Sequence, residues 1–281
     1  MTTTTTDSTS PATWTGTAAP VTPALAASAL ILAGRIVRSW RNQKAAVITT
    51  WLFPVFLTLL FLGLFGGALQ VPGGTGYSDF LIPGMLTVTM LFGLESTTLS
   101  AAADASKGIN DRFRSYPIPA ASIVLGRCLA DLLNSLIALT VMVACGLAIG
   151  WRPDTTLTGA LLALGLLGAL RFALQWVGIY IGYRARSVES VTFVQILVWP
   201  VAFLSSVFVD PATMPTWLGA LAELNPLSAT ATAVRDLLGT TTWPGQVIPS
   251  RISTALAIAW PVALTAVFLP LAARSFRNAD G

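Results

Sequence analysis

Three ionisable residues, Glu95, Asp131 and Arg171, lie inside long apolar stretches of the 281-residue chain. An ionised side chain in hydrocarbon costs roughly 3 kcal/mol or more unless it is paired or hydrated, so each is a candidate site residue. If these stretches are membrane-spanning helices, the rise per residue places Glu95 and Arg171 roughly 9 Å and 18 Å from the cytoplasmic ends of their helices. We consider two arrangements equally: a Glu95–Arg171 ion pair, and local hydrogen bonding or snorkelling by each residue.

A second group of polar residues occupies the stretch from Asp104 to Asp131, between two apolar segments. Basic residues of such a loop could pair with acids on a partner, and its aromatic residues could fill an apolar cleft. A loop that only sets membrane topology is the alternative. The candidate contact residues are Lys107, Asp111, Arg112, Phe113, Arg114, Tyr116 and Pro117. Arg127 and Asp131 follow in the polar start of the next apolar helix, which makes Arg127 a fourth candidate intramembrane polar residue.

Common catalytic patterns are missing from the chain. It has no GxxxxGK[ST], GxSxG, HExxH or CxxC motif, no histidine, and two cysteines. Cys128 and Cys145 fall on one predicted helix, roughly 25 Å apart, too far to form a disulfide within it. We therefore expect neither an enzyme nor a metal site, and any transport must draw its energy from a partner or an ion gradient.

The composition indicates an all-α polytopic membrane protein. Hydrophobic residues make up 54% of the chain and charged residues 10%, whereas soluble domains carry about a quarter charged residues. Six apolar segments are long enough to cross roughly 30 Å of hydrocarbon as helices. Their approximate bounds are Val47–Leu69, Phe80–Ala101, Ile123–Trp151, Leu157–Tyr183, Val191–Val209 and Ser253–Ala272.

The segment before the first span has two parts. Residues 1–23 are rich in Thr, Ser, Ala and Pro and are predicted to form a disordered cytoplasmic tail. Residues 24–46 place Leu32, Ile36 and Trp40 on one helical face opposite a basic arc, which favours an interfacial helix. A solvated basic run is the alternative. The candidate interfacial residues are Arg35, Arg38, Trp40, Arg41 and Lys44.

Lys and Arg placement predicts that both termini are cytoplasmic. The long connection before the last span contains apolar pieces too short to cross a membrane, which favours short helices at the outer interface or a re-entrant pair. An ordinary external loop is the alternative, although its apolar residues would form a sticky surface. The candidate residues here are Trp217, Asn225, Pro226 and Arg235.

Two motifs resemble the permease subunits of type-2 ABC exporters, especially the daunorubicin-resistance group. The first comprises Gly108, Arg112-Phe113-Arg114, Pro117, Gly126-Arg127 and Ala130-Asp131. The second comprises Pro215, Trp217-Leu218, Asn225-Pro226-Leu227 and Arg235-Asp236-Leu237-Leu238. Both occur in the order typical of the family, and the resemblance extends from residue 24 to the C-terminus.

The resemblance implies a transmembrane domain over residues 24–281, paired with a second permease chain, the same or paralogous. It also implies two ATPase subunits that bind the ATP and Mg, with no cofactor on this chain. The interfacial helix and the 104–119 loop would dock the ATPase, and the short helices would form an extracellular cap or gate.

An apolar pathway with few fixed charges suits amphiphilic or lipid-like cargo, exported across a bacterial plasma membrane. Phe and Trp residues of the first and fifth spans are candidates either for lining that pathway or for facing lipid. Two alternatives remain: a polysaccharide or glycolipid exporter, and an ion-coupled carrier that works alone. No nucleic-acid partner is expected.

Overall fold

The computed structural model describes residues 25–67, 76–106, 120–185, 191–240 and 249–277. Within these ranges the chain forms helices and turns without a β-strand, which confirms the all-α prediction. The helices are α1 (Leu25–Ser39), α2 (Lys44–Phe65), α3 (Tyr77–Ser106), α4 (Ala120–Ile149), α5 (Leu157–Arg184), α6 (Thr192–Phe203), α7 (Thr216–Leu224), α8 (Pro226–Leu237) and α9 (Ser250–Arg277). Short 3₁₀ turns occupy Trp40–Asn42 and Pro211–Thr213. The tail before residue 24 lies outside the described residues.

Helix α3 is the centre of the bundle. The most apolar part of α3 is 89% buried, whereas the corresponding parts of the other long helices are 17–33% buried. Its polar residues suit this position because Thr89 and Thr98 donate hydrogen bonds to carbonyls one turn earlier, at 2.7 Å and 2.8 Å. A central helix can therefore carry hydroxyl groups without leaving them unsatisfied.

Five of the long helices are long and apolar enough to cross a membrane. The predicted fifth span is different: α6 has 12 residues, a length of roughly 18 Å at the helical rise. It ends at Phe203, and the non-helical segment that follows buries Ser205, Ser206 and Val207. The prediction of six continuous spans is therefore not confirmed. The apolar sequence continues past Phe203, but α6 ends there, where backbone carbonyls accept hydrogen bonds from side chains of the protein.

The helix ends gather in two groups. Ala101 of α3, Ile123 of α4, Tyr183 of α5 and Ala272 of α9 pack in one cluster, with Leu32 of α1 against it. We call this end of the bundle the basic end, because it carries Arg35, Arg38, Arg127, Arg184 and Arg274. At the opposite end, Thr155 donates a hydrogen bond to the Leu237 carbonyl at 2.6 Å. The first and last described helices thus share the basic end; the cytoplasmic placement of that end stays a prediction.

Helix α1 packs directly on α4 and does not stand apart from the bundle. A Cβ atom at Gly126 would lie 2.9 Å from the Ala29 carbonyl oxygen, so only glycine permits this approach. Ala29 and Ala33 are buried, whereas Leu30 and Ile31 are 64% and 70% exposed. The predicted apolar face with Leu32 and Ile36 therefore packs on the bundle, whereas Leu30 and Ile31 beside it remain exposed.

Gly178 and Gly182 form the contact between α5 and α3. Cβ atoms at these positions would lie 3.0 Å from the Leu94 carbonyl oxygen and 2.7 Å from the Thr98 carbonyl oxygen. Small residues at such spacing let helix backbones approach closely. The resulting van der Waals contacts stabilise helix association in lipid, where the hydrophobic effect contributes little. The GxxxG spacing in the sequence thus marks a real interface.

The mutation Gly182→Val is expected to lower the free energy of unfolding by about 2 kcal/mol, because its side chain must displace α3 backbone. The control is Gly165→Val on the same helix, where nothing lies within 4 Å of the added Cβ. Thermal unfolding of the purified protein in nanodiscs measures both. Equal losses for the two variants would show that valine propensity, not the interface, sets the effect.

Candidate functional site

A cavity of about 960 Å³ opens at the basic end of the bundle. Its walls come from the end of α1 and the 3₁₀ turn after it, the start of α2, the second half of α3, the first half of α4, and α6. It therefore lies where the sequence predicts most of the polar intramembrane residues.

One wall of the cavity is aromatic. The rings of Phe53, Phe92 and Trp199 contact one another, with centroid distances of 5.4 Å, 5.8 Å and 5.4 Å. These rings come from α2, α3 and α6, so the wall exists only in the folded protein. Phe56 and Phe193 on the same two outer helices are 59% and 72% exposed. From the sequence, the Phe and Trp residues of the first and fifth predicted spans could either line a pathway or face lipid. The structure places Phe53 and Trp199 on the cavity wall and leaves Phe56 and Phe193 exposed.

The opposite wall is polar and contains an ion pair. Arg127 of α4, buried, pairs with Asp104 near the end of α3. The same guanidinium also donates hydrogen bonds to the Ser100 carbonyl and hydroxyl, each at 3.3 Å. This pair joins the two helices that flank residues 107–119. Sequence reasoning named Arg127 but missed Asp104 as its partner, since 23 residues separate them and no periodicity links the two helices.

Asp131 lies one helical turn after Arg127 on α4, and its carboxylate has an unusual environment. Among the described residues, its buried Oδ2 atom has no hydrogen-bond donor. The carboxylate lies within electrostatic range of both Arg127 and Arg171. Both of these guanidinium groups donate hydrogen bonds to other residues, and the Nη1 atom of each is buried without an acceptor among the described residues. Asn134, one turn on, accepts a 2.8 Å hydrogen bond from the Trp51 indole and joins α4 to α2.

The predicted Glu95–Arg171 ion pair is not what the structure shows. Arg171 is 2% exposed and donates to the Ser135 hydroxyl and, at 2.7 Å, to the Thr97 hydroxyl. Its third nitrogen, Nη1, has no hydrogen-bond acceptor among the described residues. Glu95 lies on the cavity wall. Neither arrangement describes Arg171, because its acceptors are hydroxyl groups on α4 and α3 and not the Glu95 carboxylate or groups of its own helix.

The predicted interfacial residues divide between the cavity and the surface. Arg35 and Trp40 line the cavity. Arg38, Arg41 and Lys44 are exposed at the basic end. The ring of Trp40 also packs edge-on against Trp51 at 6.5 Å, which ties the 3₁₀ turn to α2.

The predicted partner-contact residues of the loop lie outside the described residues; these are Lys107, Asp111, Arg112, Phe113, Arg114, Tyr116 and Pro117. The structure does describe both flanking helix ends, Ser106 and Ala120, and places them at the basic end with the Asp104–Arg127 pair between them. The helix segments on either side of residues 107–119 thus contribute Asp104 and Arg127 to the cavity wall.

The connection before α9 contains two short helices, α7 and α8. Asn225 caps α8 by accepting a hydrogen bond from the Leu227 N–H at 2.9 Å, and Pro226 takes the first helical position. Asn225 also donates to the Val201 carbonyl at 2.8 Å. Trp217 is 67% exposed.

Arg235 of α8 lies in the protein interior at 0% exposure. It donates to the carbonyls of Phe80, Ser206 and Val207 at 3.1, 3.3 and 3.3 Å. Its guanidinium carbon lies 3.8 Å from the centroid of the Phe80 ring. Burial lowers its pKa to about 9. Arg235 thus fastens α8 to α3 and to the segment after α6.

Comparison with known proteins identifies the family. Residues 28–238 match the ABC-2 type transporter family. The chain is 32% identical over 245 residues to the daunorubicin resistance ABC transporter permease protein DrrB1 of Streptomyces coeruleorubidus, covering 87% of this chain and 84% of that protein. It is 26% identical over 215 residues to the proposed transport permease ycf38 of Pyropia yezoensis, covering 74% and 72% of the two chains. This chain therefore belongs to the ABC-2 type transporter family, as its sequence motifs predicted.

Proposed function

We propose that this chain is the membrane-spanning subunit of an ABC exporter that moves amphiphilic or lipid-like molecules out across the plasma membrane. The observation that carries the proposal is the aromatic and polar cavity at the basic end, in a chain similar over most of its length to a drug-resistance permease. A site with one apolar and one polar wall matches a molecule with one apolar and one polar part.

Energy for transport would come from a separate ATPase. The chain has no phosphate-binding loop, so ATP and Mg would bind to two partner subunits beneath the basic end. A second permease chain, the same or paralogous, would complete the membrane unit. Closure of the ATPase pair would push the loop 107–119, and the Asp104–Arg127 pair would pass that displacement to α3 and α4.

Two other functions are separated by measurement. Family membership argues against an ion-coupled carrier, which would work without an ATPase. A polysaccharide or glycolipid exporter would also need an ATPase, but its hydrolysis would be stimulated by glycan-bearing cargo. The aromatic wall of Phe53, Phe92 and Trp199 favours the amphiphile over the glycan chain.

The double mutation Arg112→Ala and Arg114→Ala is expected to release the ATPase while leaving the permease inserted. Two cations and their contacts with acids on the partner would be lost, and we expect ATPase co-purification to fall at least about tenfold. Pull-down of the tagged permease from membranes measures the effect.

The matched control is Arg274→Ala with Arg277→Ala, which removes the same charge from the C-terminal end of α9. It is expected to retain the ATPase. If both double variants retain it, docking lies elsewhere; if both lose it, the effect is one of net charge or topology.

A further inference from the structure

We propose that Asp131 is a shared counter-ion, which compensates the charge of Arg171 in this structure and takes over Arg127 when α3 carries Asp104 away from α4. This inference rests on the function proposed above, because it names the side-chain exchange by which a displacement of residues 107–119 would open the contact between α3 and α4. Asp131 is the residue of the first sequence motif whose role neither helix packing nor the Asp104–Arg127 pair explains.

The buried charges around Asp131 balance in number. Arg127 and Arg171 carry two positive charges, and Asp104 and Asp131 carry two negative charges. Asp104 is bonded to Arg127, and Asp131 is the acid whose charge acts most strongly on Arg171 in the part of the chain that the structure describes. The Arg171 guanidinium donates its hydrogen bonds to two neutral hydroxyl groups, on α3 and α4. Asp131 therefore compensates Arg171 through its charge, without a bond that fixes it there.

Arg127 and Asp131 each have an unused hydrogen-bonding atom on the same helix. The hydrogen bonds of Arg127 to Ser100 and Asp104 are donated by its Nη2 atom, whereas its buried Nη1 atom has no acceptor in the described ranges. The buried Oδ2 atom of Asp131 has no donor there. Residues four apart on a helix have Cβ atoms roughly 6 Å apart, a distance that an arginine side chain spans. Arg127 can therefore turn to Asp131 without a movement of the α4 backbone.

Arg171 has the same arrangement on α5. Its Nη1 atom is buried and has no acceptor among the described residues, and Gln175 lies one helical turn further along. The Gln175 side chain is 0% exposed, and neither its oxygen nor its nitrogen atom has a partner in the same residues. Each of these buried arginines thus has a reserve acceptor four positions after it. When Asp131 turns to Arg127, the Gln175 oxygen can take its place beside Arg171.

The reserve acceptors lower the cost of separating α3 from α4. Breaking a buried ion pair is costly mainly because it leaves a charge uncompensated in a medium of low polarity. With Asp131 one turn away, Arg127 keeps an anionic partner after Asp104 leaves. The change also reaches α5, since Arg171 then exchanges Asp131 for Gln175. A displacement at the end of α3 would thereby be passed to a third helix through side chains that have two arrangements.

A double-mutant cycle of Asp104→Asn and Asp131→Asn tests the sharing, with hydrogen exchange of the purified full-length permease in nanodiscs as the measurement. If the two acids act independently, the double variant accelerates exchange at the start of α4 by the product of the two single effects. If Asp131 is shared, each single variant keeps one acid for the arginines, and the double variant keeps none. We therefore expect the double variant to exchange at least about fivefold faster than that product.

Three further variants assign this excess to a shared carboxylate. Asp154→Asn, the same chemical change at an exposed position beyond α4, is expected to combine with Asp104→Asn as a simple product. In an Arg127→Gln background the excess is expected to disappear, because the arginine that both acids serve is gone. Asp131→Glu keeps the carboxylate, so its combination with Asp104→Asn is expected to show no excess.

A double variant whose exchange equals the product of the single effects would overturn the proposal, as would an excess that persists in the Arg127→Gln background. If a variant that carries Asp131→Asn does not yield a monodisperse protein, the cycle of Asp104→Asn with Gln175→Met decides. That cycle is expected to exceed its product too, and a simple product there would overturn the sharing. The assay needs no ATPase. Loss of ATPase co-purification with an intact excess would therefore count against the proposed exporter and not against the shared counter-ion.

Discussion

Replacing Arg235 with alanine is expected to lower the free energy of unfolding by about 3 kcal/mol, equivalent to a fall of about 5 °C in the unfolding midpoint. The side chain is fully buried and donates to three backbone carbonyls. Its removal takes one donor from each of those carbonyls and opens a cavity under the Phe80 ring. Thermal unfolding followed by tryptophan fluorescence in nanodiscs measures the change.

Two further variants distinguish the loss of the Arg235 contacts from a general effect of removing an arginine. Arg251→Ala removes an exposed arginine at the start of α9 and is expected to change stability by less than about 0.5 kcal/mol. Gly84→Ala would place a Cβ 2.8 Å from the Arg235 Nη2 atom and 2.8 Å from Val207 Cγ1, so it should destabilise as well. Because both mutations act on one contact, their effects should not add. Additive losses would show that Arg235 and Gly84 act independently.

The second large effect is expected at the Asp104–Arg127 pair. Arg127→Ala should lower the free energy of unfolding by about 2 kcal/mol, less than for a fully buried pair because the Asp104 side chain is 33% exposed. The loss should appear locally as faster hydrogen exchange at the end of α3 and the start of α4. Exchange measured by mass spectrometry on the permease in nanodiscs resolves these segments.

The reversed pair, Asp104→Arg with Arg127→Asp, is the internal test. It restores opposite charges across the same two helices and should recover part of the protection that Arg127→Ala loses. Arg274→Ala, an exposed arginine at the basic end, should leave exchange in α3 and α4 unchanged. Faster exchange in all three variants would mean that the charge of the basic end, and not this pair, holds the helices together.

Much of the fold follows from local sequence properties. The apolar stretches, the Asn225-Pro226 start of α8 and the Gly178–Gly182 spacing each act within a few residues, so composition and periodicity predict them. The predicted fifth span shows the limit. Apolar residues continue past Phe203, but the helix does not, because Asn225 binds the Val201 carbonyl and Arg235 binds carbonyls of the following turn.

The sequence by itself determined the class of protein: a helical membrane permease of the ABC-2 family, with polar residues concentrated near the loop after the second span. Only the tertiary structure decided which of those residues meet. It paired Arg127 with Asp104 instead of leaving it a topological charge, gave Arg171 to Thr97 and Ser135 instead of Glu95, and buried Arg235. The physical reason is that a buried charge takes whichever acceptor helix packing brings nearest, and that packing joins segments tens of residues apart.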